Sequence, residues 1–358
     1  MTATGPSPVT ALAEPFGAAT DEVVRVAARD GAPGHVRKVL SPHAGNVHGM
    51  GPGVGLAEQD CHYWAREYRF YRAFARGELG SWADLPLRPA TPYGFDERPD
   101  GALVLTLEDV AEPPGDWRAP DYREVAAHLG VFNGHHFLRP LPDPPGWLSR
   151  SWLRWWFTSM TPAAVSGLRT LTPDARAALA EVTDPKASVA GTTALWRARS
   201  ELLARLDRVP VALAHLDANR LNLLRAEPGR SVAVDWSYVG VEALGTDAAQ
   251  LFASSAARLL VPADDLAAFH DAVLDGYVAG LRSAGVPGEV LSAVPGWYDL
   301  AICLRWGAAH LFWARGIADP ERRPVLEQRW WRRPFAQAAP DLALLDRYLS
   351  GLTERTLA

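Results

Sequence analysis

The chain reads as an α+β protein of two unequal parts, a small β-rich N-terminal domain and a larger, mainly helical C-terminal domain. Three observations predict this. Alternating apolar and polar residues, with turn signals between them, crowd the first third of the chain around one strong helix. The stretch Glu112-Pro113-Pro114-Gly115 punctuates a change of character just after Glu108-Asp109. Beyond it, helical periodicity dominates. The expected domains are residues 1–108 and 109–358.

Val23–Ala28 and Gly34–Leu40 predict paired strands around an Asp30-Gly31 turn. A glycine- and proline-rich loop, Ser41 to Gly55, leads to a helix expected over Gln59–Phe74, and Ala102–Leu107 predicts a further strand. Helices are then expected over Tyr122–Phe137, Pro173–Glu181, Thr193–Asp207, Asp264–Ser283 and Gly296–Arg315. One β segment interrupts them: Val209–Ala214, then short strands Leu221–Leu224 and Ser231–Val234 joined by the turn Glu227-Pro228-Gly229-Arg230.

The 358 residues are 48% hydrophobic and 22% charged, the profile of a globular protein, with a formal net charge of −5. That charge, with no long basic run, speaks against nucleic acid or an anionic membrane as the main partner. Cys61 and Cys303 lie far apart and predict two reduced core thiols. No signal peptide or membrane span is expected, and the chain reads as cytoplasmic. Cations are almost all arginine; the only lysines are Lys38 and Lys186.

The segment His215-Leu216-Asp217-Ala218-Asn219-Arg220-Leu221-Asn222, followed by Val234-Asp235-Trp236, carries the strongest chemical signal. Asn222 opens the outgoing strand of a hairpin and Asp235 closes the returning one, so the two are neighbours. Asp217 lies just upstream. Three oxygen-bearing side chains at one hairpin end suit Mg2+, which takes oxygen ligands from few protein groups and the rest from water and phosphates. Asn222 and Asp235 are the candidate metal ligands, and Asp217 the candidate base for an attacking hydroxyl. A polar loop capped by Asx side chains would use the same residues.

Phosphoryl transfer also needs a cation for the distal phosphates, held by a carboxylate. In Val36-Arg37-Lys38-Val39-Leu40, strand alternation puts Lys38 on the face of Val36 and Leu40, pointing inward. Glu67 falls within the apolar stripe Tyr63, Trp64, Phe70, Tyr71 and Phe74, where a carboxylate is costly unless paired. A Lys38–Glu67 ion pair is the favoured reading; a Glu67 at the stripe's edge, bound to Arg66 or water, is the other.

These residues, in this order, resemble the aminoglycoside phosphotransferase family, within the protein-kinase-like folds. The resemblance spans nearly the whole chain and implies a two-lobed fold. It also implies ATP or GTP as co-substrate, Mg2+, Asp217 as base, Asn222 and Asp235 on the metal, and His215 bracing the loop. The strand Leu105–Asp109, with Glu108, resembles the hinge whose backbone receives the nucleobase. The family's phosphate-covering loop would fall at Pro15-Phe16-Gly17-Ala18-Ala19-Thr20, where Gly17 is the single glycine and backbone amides could still cap phosphates. Leu216 stands where the family has glycine, and the downstream run is reduced to Gly245-Thr246-Asp247-Ala248-Ala249-Gln250, with Asp247 a candidate brace for the loop.

Three functions follow: a kinase for a small hydroxyl-bearing acceptor such as an antibiotic, sugar or metabolite; a Ser/Thr kinase for a peptide substrate; or a non-catalytic kinase-like binding protein. The full residue set speaks against the last. Arg322, Arg323, Arg329, Arg332 and Arg333 disfavour a polycationic acceptor. Gly49–Gly55 departs from the dinucleotide fingerprint and reads as a connector. His135-His136 lacks a third ligand and reads as surface or core imidazoles, and most of the fourteen tryptophans as core.

Overall fold

A computed structural model describes residues 9–13, 19–29, 31–42, 55–169, 171–309, 313, 316, 317, 319 and 321–358. The N-terminal part is a five-stranded antiparallel sheet in the order β1 (Val9–Ala13), β2 (Thr20–Val26), β3 (His35–Leu40), β6 (Leu103–Glu108) and β5 (Pro92–Glu97). The expected hairpin forms, with Val23 opposite Lys38 and Val26 opposite His35. On its other edge β3 pairs with β6, Lys38 opposite Leu105, so the lysine sits on a central strand. A short strand, β4 (Leu87–Pro89), leaves this lobe and runs parallel to β9 (Arg230–Ala233) of the second.

Helix α1 spans Arg66–Ala75, beginning later than Gln59. The reason is Arg66, which is wholly buried and folds the preceding residues around itself. Its guanidinium donates to the carbonyls of Cys61 (2.7 Å), Asp60, Trp147 (2.8 Å) and Ser237 (3.1 Å). Those carbonyls are thereby withdrawn from a helical ladder. Burial pulls the Arg66 pKa down to about 10.

The second part is helical: α2 (Ala119–Leu138), α3 (Trp152–Arg169), α4 (Pro173–Val182), α5 (Pro185–Arg197), α6 (Arg199–Leu206), α7 (Thr246–Ala257), α8 (Leu266–Ser283), α9 (Gly288–Trp306) and a C-terminal helix Phe335–Leu357. The helix expected over Thr193–Asp207 is broken at Ala198 into α5 and α6. The one expected over Gly296–Arg315 starts earlier and runs through Pro295. Two small sheets lie among the helices. Strand β7 (Val211–Ala214) pairs with β10 (Gly240–Ala243), and β8 (Leu223–Glu227) with β9 (Arg230–Ala233).

Helices α2 and α8 pack with their backbones nearly touching. A methyl group at Gly280 would lie 2.0 Å from the Ala127 carbonyl oxygen, and one at Gly130 would lie 2.2 Å from that of Tyr277. Glycine is needed at both crossings because any Cβ would force the helices apart. The close crossing brings Tyr277 to Asn133, whose Oδ1 accepts its hydroxyl hydrogen at 2.9 Å. That contact supports the loop described next.

Aromatic side chains join the two parts. Trp236, fully buried, stacks on Phe70 of α1 with ring centroids 4.3 Å apart and meets the His215 ring at 4.5 Å. Trp82 and Phe132 close around the same indole. Most of the other tryptophans are buried too. His136 is a core imidazole packed on Trp82 and Phe132, and His135 lies half-buried beside Arg139. Both cysteines are buried and reduced.

Candidate active site

The loop between β7 and β8 is built on Asp247, the second residue of α7. Its Oδ2 accepts the N–H of His215 at 3.0 Å and its Oδ1 that of Leu216 at 2.8 Å. Asn133 donates to the same carboxylate at 3.1 Å and to the Leu213 carbonyl at 2.9 Å. A buried carboxylate with these donors is satisfied and fixes the loop's entry. Leu216 has φ 67°, the left-handed conformation that glycine adopts without cost. Here a fully buried leucine adopts it, held by Asp247 on one side and by Gln250 at its carbonyl.

His215 closes the loop from within. Its Nε2–H donates to the Val234 carbonyl at 2.9 Å, while Nδ1 accepts the Asp217 N–H at 3.2 Å. Burial lowers its pKa, and only the neutral ring can make both contacts. The side chain thus clips the 215–217 segment to the returning strand beside Asp235.

Asn222 and Asp217 face each other directly. Asn222 Nδ2 donates to the Asp217 backbone oxygen at 3.0 Å and to its Oδ2 at 2.9 Å, and the Asn222 carbonyl accepts the Val234 N–H at 2.9 Å. With its amide nitrogen committed to Asp217, Asn222 has Oδ1 as its remaining side-chain acceptor. Desolvation and the negative charge of Asp235 raise the Asp217 pKa to about 7. Asp235 itself, at φ 59°, ends the β8–β9 hairpin with its side chain 39% exposed.

Lys38 reaches across from β3 to both carboxylates. Its Nζ lies 2.5 Å from Glu67 Oε2 and 3.0 Å from Asp235 Oδ1. Burial works against its charge, but Asp235 and Glu67 outweigh that and raise its pKa. Lys38 in turn overcomes the burial of Asp235 and holds that carboxyl below the usual range. Glu67 is buried on the inner side of α1, its edge position with Arg66 excluded because Arg66 binds carbonyls. Lys38, Glu67, Asp217, Asn222, Asp235 and His215 therefore gather in one place.

Glu108 is elsewhere and otherwise engaged. It pairs with Arg88 at 2.7 and 3.0 Å and accepts from the Thr91 hydroxyl and N–H, which with Arg88 foremost hold its pKa at about 2. Its own N–H donates to the Thr91 carbonyl at 2.8 Å. A nucleobase at this strand end would be left only its carbonyl. Gly17, with the rest of the expected phosphate cover up to Ala18, lies outside the described residues, as does Gly49–Val54.

No protein-family model matches the chain, and no curated protein matches it in sequence. Solved structures do match in shape. One is an amicoumacin kinase in complex with AMP-PNP and Ca2+, with 15% identity over 97% of this chain and 89% of that one and a TM-score of 0.52. A Plasmodium vivax ethanolamine kinase aligns over 92% of this chain and 80% of its own, with 11% identity and a TM-score of 0.53. A choline kinase from Cryptosporidium parvum aligns over 99% and 93%, with 10% identity and a TM-score of 0.52. The chain has a protein-kinase-like fold.

Within this kinase-like fold, sequence reasoning missed two arginines. Asp217 lies within electrostatic reach of Arg258, at the end of α7, and of Arg305, in the last turn of α9. The C-terminal arginines are instead largely occupied: Arg322 with Asp319 (3.3 Å), Arg323 with Glu327 (2.9 Å) and Arg333 with Asp341. Nothing in local pattern distinguishes Arg258 and Arg305 among so many arginines. Among the described residues, no helix is long and apolar enough to cross a membrane, and no cluster of His, Cys, Asp and Glu forms a metal site of its own.

Proposed function

We propose that this chain is a phosphotransferase that moves the γ-phosphoryl group of ATP or GTP to a hydroxyl of a small molecule. The observation that carries the reading is the bridge from Lys38 to Glu67 and Asp235, set beside Asp217 and Asn222. A cation and an oxygen-donor pair meeting a half-buried carboxylate is what a triphosphate and an attacking hydroxyl require. The lobe boundary falls after residue 108, and the protein works in the cytoplasm.

The residues fit Mg2+: Lys38 favours the ionised form of Asp235, Asn222 retains its side-chain oxygen as an acceptor, and both donors are hard. Asp235 and Asn222 would hold the ion, whose contribution when bound is to neutralise phosphate charge. Lys38, oriented by Glu67, binds the non-bridging phosphate oxygens. Asp217 accepts a hydrogen bond from the acceptor hydroxyl and takes its proton. As the acceptor oxygen bonds to the γ-phosphorus, the bond from that phosphorus to the β,γ-bridging oxygen breaks, and the nucleoside diphosphate leaves with that electron pair. His215 and Asp247 keep Asp217 in register.

The test is direct. The purified chain, either nucleotide, Mg2+ and a panel of hydroxyl-bearing compounds are incubated, and product masses are scanned for an added phosphate. A phosphorylated small molecule supports the reading, and a phosphorylated peptide would redirect it. Nucleotide bound with no turnover across the panel would make this a binding protein.

A further inference from the structure

Arg258 and Arg305 are half-buried, and the Nε of each is buried with no hydrogen-bond partner among the described residues. Neither has a carboxylate within salt-bridge distance there. What they have is tryptophan. Arg305 lies 3.8 Å from the centre of the Trp156 ring and 4.4 Å from that of Trp306, and Arg258 lies 4.4 Å from that of Trp330. A cation over an indole regains only part of what desolvating a guanidinium costs. The C-terminal end of α7 offers Arg258 some further relief. Each guanidinium thus keeps a buried Nε with no hydrogen-bond partner among the described residues, and each lies within electrostatic reach of Asp217.

Both are anchored to the loop that carries Asp217. Helix α7 touches that loop along one face: Asp247 at His215 and Leu216, Gln250 at the Leu216 carbonyl, and Ser255 at the Arg220 N–H (3.3 Å). Arg258 is three residues past Ser255, hence on the same face one turn on. Trp306, next to Arg305, donates to Gln250 at 2.8 Å. Trp330 ends a π-helical turn, Leu326–Trp330.

Resting on the phosphotransferase reading, we infer that the acceptor bears an oxyanion, a carboxylate or a phosphate, which Arg258 and Arg305 bind while its hydroxyl meets Asp217. A guanidinium presents paired donors matched to such a group. The flanking indoles would pack on the acceptor's carbon skeleton. An amine in the same place would meet two cations and be rejected.

Matched sets of acceptors test this on the full-length protein: glycerate, glycerol 3-phosphate, glyceramide and serinol, then gluconate, glucose 6-phosphate, gluconamide and glucosamine. Binding is read by tryptophan fluorescence with Mg-nucleotide present, and turnover by mass. The expected result is at least tenfold higher kcat/KM for an oxyanion-bearing member than for its amide or amine. Arg258→Gln and Arg305→Gln then bring that ratio towards one through KM, with nucleotide KM retained, and the lysine variants recover part of it. Carboxylate against phosphate ester identifies the source.

Preference for amines or amides overturns the inference. So does an equal loss of kcat for acid and amide in the arginine variants, or no oxyanion-bearing compound bound by a protein that binds Mg-nucleotide normally. The wild-type comparison stands even if a variant fails to fold. Failure to bind Mg-nucleotide at all is a separate reading, and it removes the phosphotransferase assignment together with this one.

Discussion

Lys38 and Asp235, 197 residues apart, lie with Nζ and Oδ1 3.0 Å from each other, and the same ammonium touches Glu67. One cation therefore forms ion pairs with two carboxylates from opposite lobes. Lys38→Met removes the ion pair from both, leaving Glu67 the Trp236 backbone and Asp235 the Ser237 side chain, and it removes the charge proposed to meet the phosphates. Phosphoryl transfer should fall by at least about a hundredfold, and the melting temperature should drop as well. Nucleotide turnover and calorimetry on one preparation check both; an unchanged rate would remove Lys38 from the chemistry.

Asp217 and Asp235 should separate kinetically. Asp217→Asn is expected to lower kcat by about a hundredfold or more while nucleotide affinity is retained. Asp235→Asn should instead weaken Mg2+-dependent nucleotide binding, and chelation of the metal should make the wild type resemble it. Titrating nucleotide with and without Mg2+ distinguishes the two.

Leu216 poses a question of magnitude. Its left-handed backbone costs ~1–2 kcal/mol, which glycine would relieve. Truncating a fully buried leucine costs ~2–5 kcal/mol. Burial wins, so Leu216→Gly should destabilise the protein by about 2 kcal/mol in denaturant titration. A stabilised variant would mean that the strain at this position outweighs its packing.

His136 gives stability an acid limb. Burial, with a smaller push from His135, lowers its pKa from 6.5 to about 3. The unfolded chain thus binds a proton here that the folded one refuses. Stability from this group is complete above about pH 6.5 and is lost as pH falls towards about 3, on the order of 1.4 kcal/mol per pH unit. His136→Leu should flatten the decline between about pH 6 and pH 4, read from thermal unfolding across that range. An unaltered slope would assign the acid sensitivity elsewhere.

Particular elements explain how far the sequence could be read. The β2–β3 hairpin and the His215–Asp235 segment were legible because turn chemistry and strand alternation act between near neighbours. Helix α7 was not, since every one of its residues is buried and no polar face marks its period. The start of α1 was misplaced because Arg66 draws in carbonyls from residues as distant as Ser237.

The sequence by itself determined the inward lysine, the hairpin that aligns Asn222 with Asp235, and Asp217 just ahead of it. Those follow from alternation and spacing, which are local properties of a chain. Only the tertiary structure decided that Lys38 would hold Asp235 as well as Glu67, that the Glu108 carboxylate would belong to Arg88, and that Arg258 and Arg305 would each bury an Nε without a hydrogen-bond partner among the described residues. The physical reason is that pairing and desolvation depend on what packing brings close, and no spacing along the chain records that.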